Sequence, residues 1–377
     1  TASDQKPVNR PSSNTVKKYV LMALLALLTF GLTGLGAIVV MFALSTLRAG
    51  RDSAASHGIS TINSSRLGGV AIVITFSLFV VGMVMLSHYT PGVVRDVTFL
   101  HLWSAVFVCA MLGGVEDIKA DLLSPYLRLI VKLLTFGFFL WTTPNVIPSS
   151  IGIPGIDYLL SHAWIAWGLC TLFCVGFINA FNMADGANGL IPGIAFFSIL
   201  LFSLQTGRVV EDSFMAACGV FLLFNVVTGR LFLGDAGTYG LGAALAIYGL
   251  VFFNAGIFSL GFLAALFAYP CVDFLVSILR RMMVGRSPFS PDNDHLHNRI
   301  HFFLRSRLRS QVASNSLTGL LISGATSGLV LVGYVNEWWP ASSNEWGYFF
   351  AFECFMYGFV FYLTGLARRS IQHSAAI

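Results

Sequence analysis

Charge is what this chain has least of. Only 10% of its 377 residues are Asp, Glu, Lys or Arg, against 56% hydrophobic residues and a mean hydropathy of +0.78. Ordinary soluble domains carry about 25% charged residues, so that class is excluded. Cysteine is scarce too. Cys109, Cys170, Cys174, Cys218, Cys271 and Cys354 all fall in apolar stretches. Cys170 and Cys174 share a helix face but have no neighbouring His or second Cys pair, which excludes a disulfide framework and a structural zinc. The thiols read as small core residues. The chain also lacks an internal repeat and any Pro/Gly/Ser-rich linker long enough to divide it. Residues 1–377 therefore read as a single polytopic membrane domain, with no nucleic-acid partner.

What is present is a series of eleven apolar stretches, near 19–48, 68–87, 97–115, 126–144, 163–182, 188–206, 212–229, 238–255, 257–279, 317–336 and 347–367. Each is long enough to cross roughly 30 Å of hydrocarbon. The expectation is an all-α integral membrane protein of about eleven transmembrane helices in one bundle. The first stretch is too long for a signal-peptide core and lacks a small-residue cleavage pattern, so it reads as a retained helix. Pro192 and Pro270 lie within helical stretches and are expected to bend them. Trp338, Trp339 and Trp346 read as interfacial anchors.

Placing the 61–66 loop inside puts Arg48, Arg51, Arg66, Lys119, Arg128, Arg230, Arg280, Arg281, Arg286, Arg299, Arg305, Arg307, Arg309, Arg368 and Arg369 in the cytoplasm. Arg95 and Arg208 then lie outside. That is a strong positive-inside bias, which the N-terminal tail alone disobeys with Lys6, Arg10, Lys17 and Lys18. The largest polar insert, about 280–316, becomes a cytoplasmic loop with a short amphipathic helix expected near 298–309. Its arginines suit anionic lipid headgroups as well as substrate.

Four polar islands interrupt the apolar background, and this topology sets all of them at the inner face. A carboxylate in or beside a bilayer costs several kcal/mol, of order 2–4, unless it is paired, metal-bound or wet, so a shared face suggests one site. Glu116 and Asp117 end the third span; adjacent carboxylates suit a metal or general-base site, or a solvated helix terminus. Lys132, deep in the fourth span, calls for an ion pair, a phosphate or a polar cavity. Asn179, Asn182 and Asp185 recur every three residues and offer oxygen ligands for a hard cation or donors for phosphate and ribose. In Gly234-Asp235-Ala236-Gly237-Thr238 a helix start favours an anion, with Asp235 either holding a divalent cation over it or acting as a plain N-cap. His295 and His297 share one face of a strand-like segment, where phosphate contact suits them better than zinc.

Together these islands resemble the polyprenyl-phosphate N-acetylhexosamine-1-phosphate transferases, membrane enzymes that start bacterial cell-envelope glycans. The resemblance runs from Arg66-Leu67-Gly68-Gly69 through the acidic pair, Asn179 to Leu190 and Gly234 to Thr238, to the Ser287 to His297 run and Arg299. That last run looks most like the undecaprenyl-phosphate alpha-N-acetylglucosaminyl 1-phosphate transferase branch.

The resemblance implies a cytoplasmic-face active site in a bacterial inner membrane. There a polyprenyl phosphate attacks the β-phosphorus of a UDP-N-acetylhexosamine and releases UMP, as a first step toward a polysaccharide such as O-antigen. By it, Asp235 is the principal Mg²⁺ ligand, with Mn²⁺ as a substitute, and Asn182 lies near metal and pyrophosphate. Asp117 acts as a base or positions the prenyl phosphate, with Glu116 beside it. Asp185 and Asn188 face the nucleotide, Phe232 stacks on uracil, and His295 and His297 sit on the phosphate side. Lys132, Arg66 and Arg299 are carried over as substrate contacts, and a homodimer is compatible with the pattern. Glu116, Asn188 and Asn298 depart from the usual residues at their positions. The rival class is a transporter or proton relay built on Lys132, Asp273 and Glu353, which would need its charges near the membrane midplane.

Overall fold

The computed structural model describes residues 13–47, 50–52, 64–86, 97–119, 122–287 and 294–374. Lys6, Arg10, Arg48, Arg95, Asp121 and Asp292 lie outside them. The described residues are almost wholly helical: α1 (Ser13–Thr46), α2 (Gly68–Leu86), α3 (Val97–Ile118), α4 (Pro125–Thr142), α5 (Pro154–Leu160), α6 (Ala163–Ala184), α7 (Leu190–Thr206) and α8 (Val209–Thr228). There follow α9 (Gly234–Asn254), α10 (Leu260–Leu266), α11 (Ala268–Met283), α12 (Leu296–Arg305), α13 (Gln311–Ser323), α14 (Leu329–Val335) and α15 (Trp346–Ser374). Every one of the eleven apolar stretches contains a helix. Among the described residues six helices are long and apolar enough to cross a membrane, or seven if the bent pair α10 and α11 is one span.

One of the two bends expected from proline is observed. The 257–279 stretch breaks at Phe267, three residues before Pro270, where α10 and α11 meet at 79°. Pro192 lies in the first turn of α7, which runs unbroken to Thr206, so that expectation is corrected. A proline there removes an N–H that has no partner within the helix and marks its start. A further departure from helical geometry is at Gly31, where α1 takes φ 62° and ψ −149°.

Helix α9 is the centre of the bundle, with nearly every residue from Ala236 to Leu250 buried. Its Gly- and Ala-rich sequence lets neighbouring backbones come close, the packing mode available where lipid removes the hydrophobic drive between helices. A methyl group at Gly113 of α3 would lie 2.2 Å from the Asp235 backbone, and one at Gly69 of α2 would lie 2.1 Å from Gly237 N. The 64–69 segment is stitched to the strand-like run before α9: Phe232 N–H donates to Ser65 O at 2.8 Å, and Gly68 N–H to Phe232 O at 2.9 Å. Ser65 also closes a two-residue antiparallel pair, β1 (Arg51–Asp52) with β2 (Ser64–Ser65). These contacts fix the start of α9 against α2 and α3, where the polar islands lie.

Candidate active site

The first turn of α9 has no side-chain cap of its own. Asp117, from the last turn of α3, supplies one: its Oδ1 accepts the Asp235 N–H and its Oδ2 the Ala236 N–H, both at 2.8 Å. Gly234 makes this possible. It sits at φ 71°, and a methyl group there would lie 2.1 Å from Arg66 O and 2.6 Å from Asp117 Oδ2. Asp235 is therefore not an N-cap, and its carboxylate remains for other partners.

Those partners come from two further helices. Asn182, near the end of α6, donates its amide N–H to Asp235 Oδ1 at 2.8 Å and lies 3.0 Å from Thr238 Oγ1. Arg128, in the first turn of α4, reaches Asp235 Oδ2 at 3.4 Å and Glu116 Oε1 at 3.7 Å. Ser124 caps α4 from Leu127 N–H at 3.2 Å, with Pro125 at the first helical position, and so aims that turn. Tyr239 O–H lies 3.4 Å from Asp235 Oδ2. The Tyr239 ring in turn receives Lys132, whose ammonium sits 4.3 Å from the ring centroid and donates to Asn179 Oδ1.

Asp185 follows α6 as its C-cap. Its carboxyl takes no hydrogen bond or ion pair from a described residue, and burial together with the charges of Asp235 and Asp117 pushes it up to about 8. Unrelieved repulsion of this kind is what a bound cation would remove. Among the described residues no three His, Cys, Asp or Glu side chains gather as an all-protein metal cage would require. Mg²⁺ does not need one, since it is commonly held by one or two carboxylates together with substrate phosphates and water. Asp235 suits that pattern. Asn182 now turns its amide nitrogen toward Asp235, so offering oxygen to a cation would require the amide to turn over.

The inner loop reaches the same place. His297, 3% exposed, packs so closely on the turn after Asp185 that a methyl group at Gly186 would lie 2.0 Å from its Nε2. His295 is the N-cap residue of α12 and His297 lies in its first turn. The segment is thus a helix start rather than strand-like, although the two rings do stack, 5.3 Å apart and 6° from parallel. The amphipathic helix expected at 298–309 is observed at Leu296–Arg305.

Residues 99–253 match the family model described as Glycosyl transferase family 4. The undecaprenyl-phosphate alpha-N-acetylglucosaminyl 1-phosphate transferase of Thermotoga maritima is 30% identical over 281 residues, covering 74% of this chain and 80% of its own. The chain belongs to this family of polyprenyl-phosphate N-acetylhexosamine-1-phosphate transferases. A probable undecaprenyl-phosphate N-acetylglucosaminyl 1-phosphate transferase of Bacillus subtilis is 27% identical over 267 residues, 68% of this chain and 71% of that one. The decaprenyl-phosphate N-acetylglucosaminephosphotransferase of Mycobacterium tuberculosis is 27% identical over 341 residues, 79% and 81% respectively.

Within this family member the residues singled out from sequence fall into two groups. Glu116, Asp117, Asn182 and Asp235 converge directly, with Asp185 and His297 around the adjoining turn and Lys132 linked through Tyr239. Arg66 is close enough to Asp117 to act on it electrostatically, and Phe232 is partly exposed in the run leading to Asp235. The others are turned into the protein. Asn188 is buried, its N–H donating to Asn315 Oδ1 at 2.9 Å. Arg299 forms a two-point contact with Asp294 at 2.8 and 2.7 Å, donates to Phe361 O at 2.8 Å and lies over the Phe361 ring. Of the charges a transporter would use, Asp273 is bound to His295, and Glu353 is buried with neither carboxyl oxygen taking a hydrogen bond from a described residue.

Sequence reasoning missed Arg128 as a site residue, counting it only among the inner charges. It also missed Asn225, whose Oδ1 accepts Gly189 N–H at 2.7 Å while its amide N–H donates to Leu231 O at 2.8 Å. Asn225 thereby ties the loop before α7 to the loop before α9. A lone amide in an apolar run was the available signal.

Proposed function

We propose that this protein transfers N-acetylglucosamine 1-phosphate from its UDP-sugar to undecaprenyl phosphate, releasing UMP, as the first membrane step of a cell-envelope polysaccharide such as O-antigen. One observation carries the reading: the ends of α3 and α6 and the start of α4 meet the start of α9 around Asp235, with His297 packed against the adjoining Asp185-Gly186 turn. The relatives named as N-acetylglucosaminyl 1-phosphate transferases of undecaprenyl or decaprenyl phosphate support the sugar phosphate and the lipid acceptor. In the proposed topology a single eleven-span domain opens this site to the cytoplasm at the bacterial inner membrane.

In the reaction a phosphate oxygen of the lipid bonds to the β-phosphorus of the UDP-sugar, and the bond from that phosphorus to the bridging oxygen breaks, leaving UMP. Bound Mg²⁺ would neutralise phosphate charge beside Asp235. Asp117 holds the α9 turn that carries Asp235, and Arg128 sets a positive charge next to the same carboxylate. The lipid phosphate is already mostly dianionic near neutral pH, so the step needs positioning more than proton removal. Asp185 and the His297 ring face the nucleotide diphosphate, and Phe232 offers a face for uracil.

The test is transfer by purified protein given undecaprenyl phosphate and a panel of radiolabelled UDP-sugars. Label from UDP-N-acetylglucosamine should become lipid-extractable. Label entering lipid from another UDP-sugar instead would overturn the choice of donor, and no label from any would overturn the transferase reading.

A further inference from the structure

The side chains behind the two stacked histidines are arranged as closely as those around Asp235. Asp273 of α11 is 1% exposed and holds three donors: His295 Nδ1 at 2.6 Å on Oδ2, with Tyr357 O–H at 2.7 Å and Leu296 N–H at 3.2 Å on Oδ1. These come from the start of α12 and from α15, so one carboxylate joins three helices. Ser277, one turn on, lies 3.3 Å from the same His295 nitrogen. A carboxylate only accepts, so His295 carries its proton on Nδ1.

Tyr269, one turn before Asp273, settles the other ring. Its oxygen accepts the His297 backbone N–H at 3.2 Å and lies 2.9 Å from His297 Nδ1. These are its only hydrogen-bond partners among the described residues, so its single proton goes to Nδ1. Burial also pushes His297 down to about 4 and keeps it neutral. The His297 proton therefore sits on Nε2, the atom against Gly186. Nδ1 of one ring is thus held as a donor and Nδ1 of the other as an acceptor by two residues of one helix.

We propose that Asp273 and Tyr269 are positioning residues of the sugar-phosphate site. By fixing which Nδ1 donates and which accepts in His295 and His297 they keep an N–H donor aimed at the Asp185-Gly186 turn, where the nucleotide diphosphate binds. The inference rests on the transferase reading above and adds the residues that set its loop.

The substitution Asp273→Asn separates orientation from packing. The amide can still accept from Tyr357 and Leu296, but it presents N–H to His295 Nδ1 and drives that proton to Nε2. Two readouts on the full-length protein decide the matter. In ¹⁵N-histidine spectra, His295 Nδ1 should change from protonated to unprotonated, with His295→Gln identifying its signals. The kcat/KM for the UDP-sugar should fall about 10- to 100-fold, the scale of lost supporting contacts, with the KM for undecaprenyl phosphate within about twofold. Asp273→Glu should restore both in part.

Tyr269→Phe is the second variant should Asp273→Asn fail to insert, and it should change the His297 tautomer alone. Unchanged histidine signals, or full turnover with switched tautomers, would overturn the proposal. Wild-type protein that transfers no label would instead sink the transferase reading, whatever the spectra show.

Discussion

Asp117 lies against Asp235 through the backbone: its carboxylate accepts the N–H groups of Asp235 and Ala236, each at 2.8 Å, and so caps the helix that carries the Asp235 side chain. Both oxygens are used. A residue in this state positions its neighbour, and a base role would have to draw on the second lone pair of an oxygen already engaged with the α9 backbone. Asp117→Asn keeps one acceptor and places an N–H against a backbone N–H. It should lower turnover and cost about 1–2 kcal/mol of stability. The shape of its pH–rate profile should stay that of wild type, and loss of an acidic limb from that profile would return Asp117 to the role of base.

Much of this site was legible in the sequence because polar groups are expensive near lipid, so Asn179, Asn182, Asp185 and Asp235 stood out, and their end of the bundle followed from counting spans. The hydrogen-bond directions were not. Capping is read from residues adjacent to a helix start, whereas the cap of α9 comes from 118 residues earlier. Nor does spacing reveal that Arg299 is consumed by Asp294 and Phe361, or that the bend expected at Pro270 is as large as 79°. Those outcomes depend on which partner tertiary packing brings near.

Arg128 bridges Glu116 and Asp235 while remaining partly open to solvent. Arg128→Gln should lower kcat/KM for the UDP-sugar by roughly 10-fold or more, about 1.4 kcal/mol. Arg128→Lys should recover only part of that, because its shorter side chain falls short of the place where Nη1 now contacts both carboxylates. Steady-state kinetics of the two variants check this, and a wild-type rate in Arg128→Gln would remove Arg128 from the site.

Gly186→Ala would set a methyl group 2.0 Å from His297 Nε2, so the imidazole must move. Overpacking of this kind costs about 1–3 kcal/mol. Turnover should fall while the protein still inserts and purifies as a folded species. Gly155→Ala, which meets nothing within 4 Å, is the matched control and should behave as wild type. Equal activity in both variants would show that the ring's place against Gly186 does not matter.

Burial lowers His297 from its ordinary 6.5 to about 4, against the opposing pull of Asp273. The unfolded chain therefore binds this proton first on acidification. The stability tied to neutral His297 is complete above pH 6.5 and is lost as pH falls toward 4, by up to roughly 3 kcal/mol. Thermal unfolding of wild type and His297→Gln at pH 7.5 and 5 isolates this contribution, because His301 titrates in both. The difference between their midpoints should shrink at pH 5, and a constant difference would contradict a neutral buried ring.

The most direct measurement compares wild type with Asp235→Asn in lipid-extractable label formed from radiolabelled UDP-N-acetylglucosamine and undecaprenyl phosphate, with Mg²⁺ and with EDTA. The account predicts transfer by wild type only with Mg²⁺, and a loss of about 1,000-fold or more in a variant that still inserts and folds. Wild-type transfer in EDTA, or near-normal turnover by Asp235→Asn with Mg²⁺, would contradict a metal-assisted site built around Asp235.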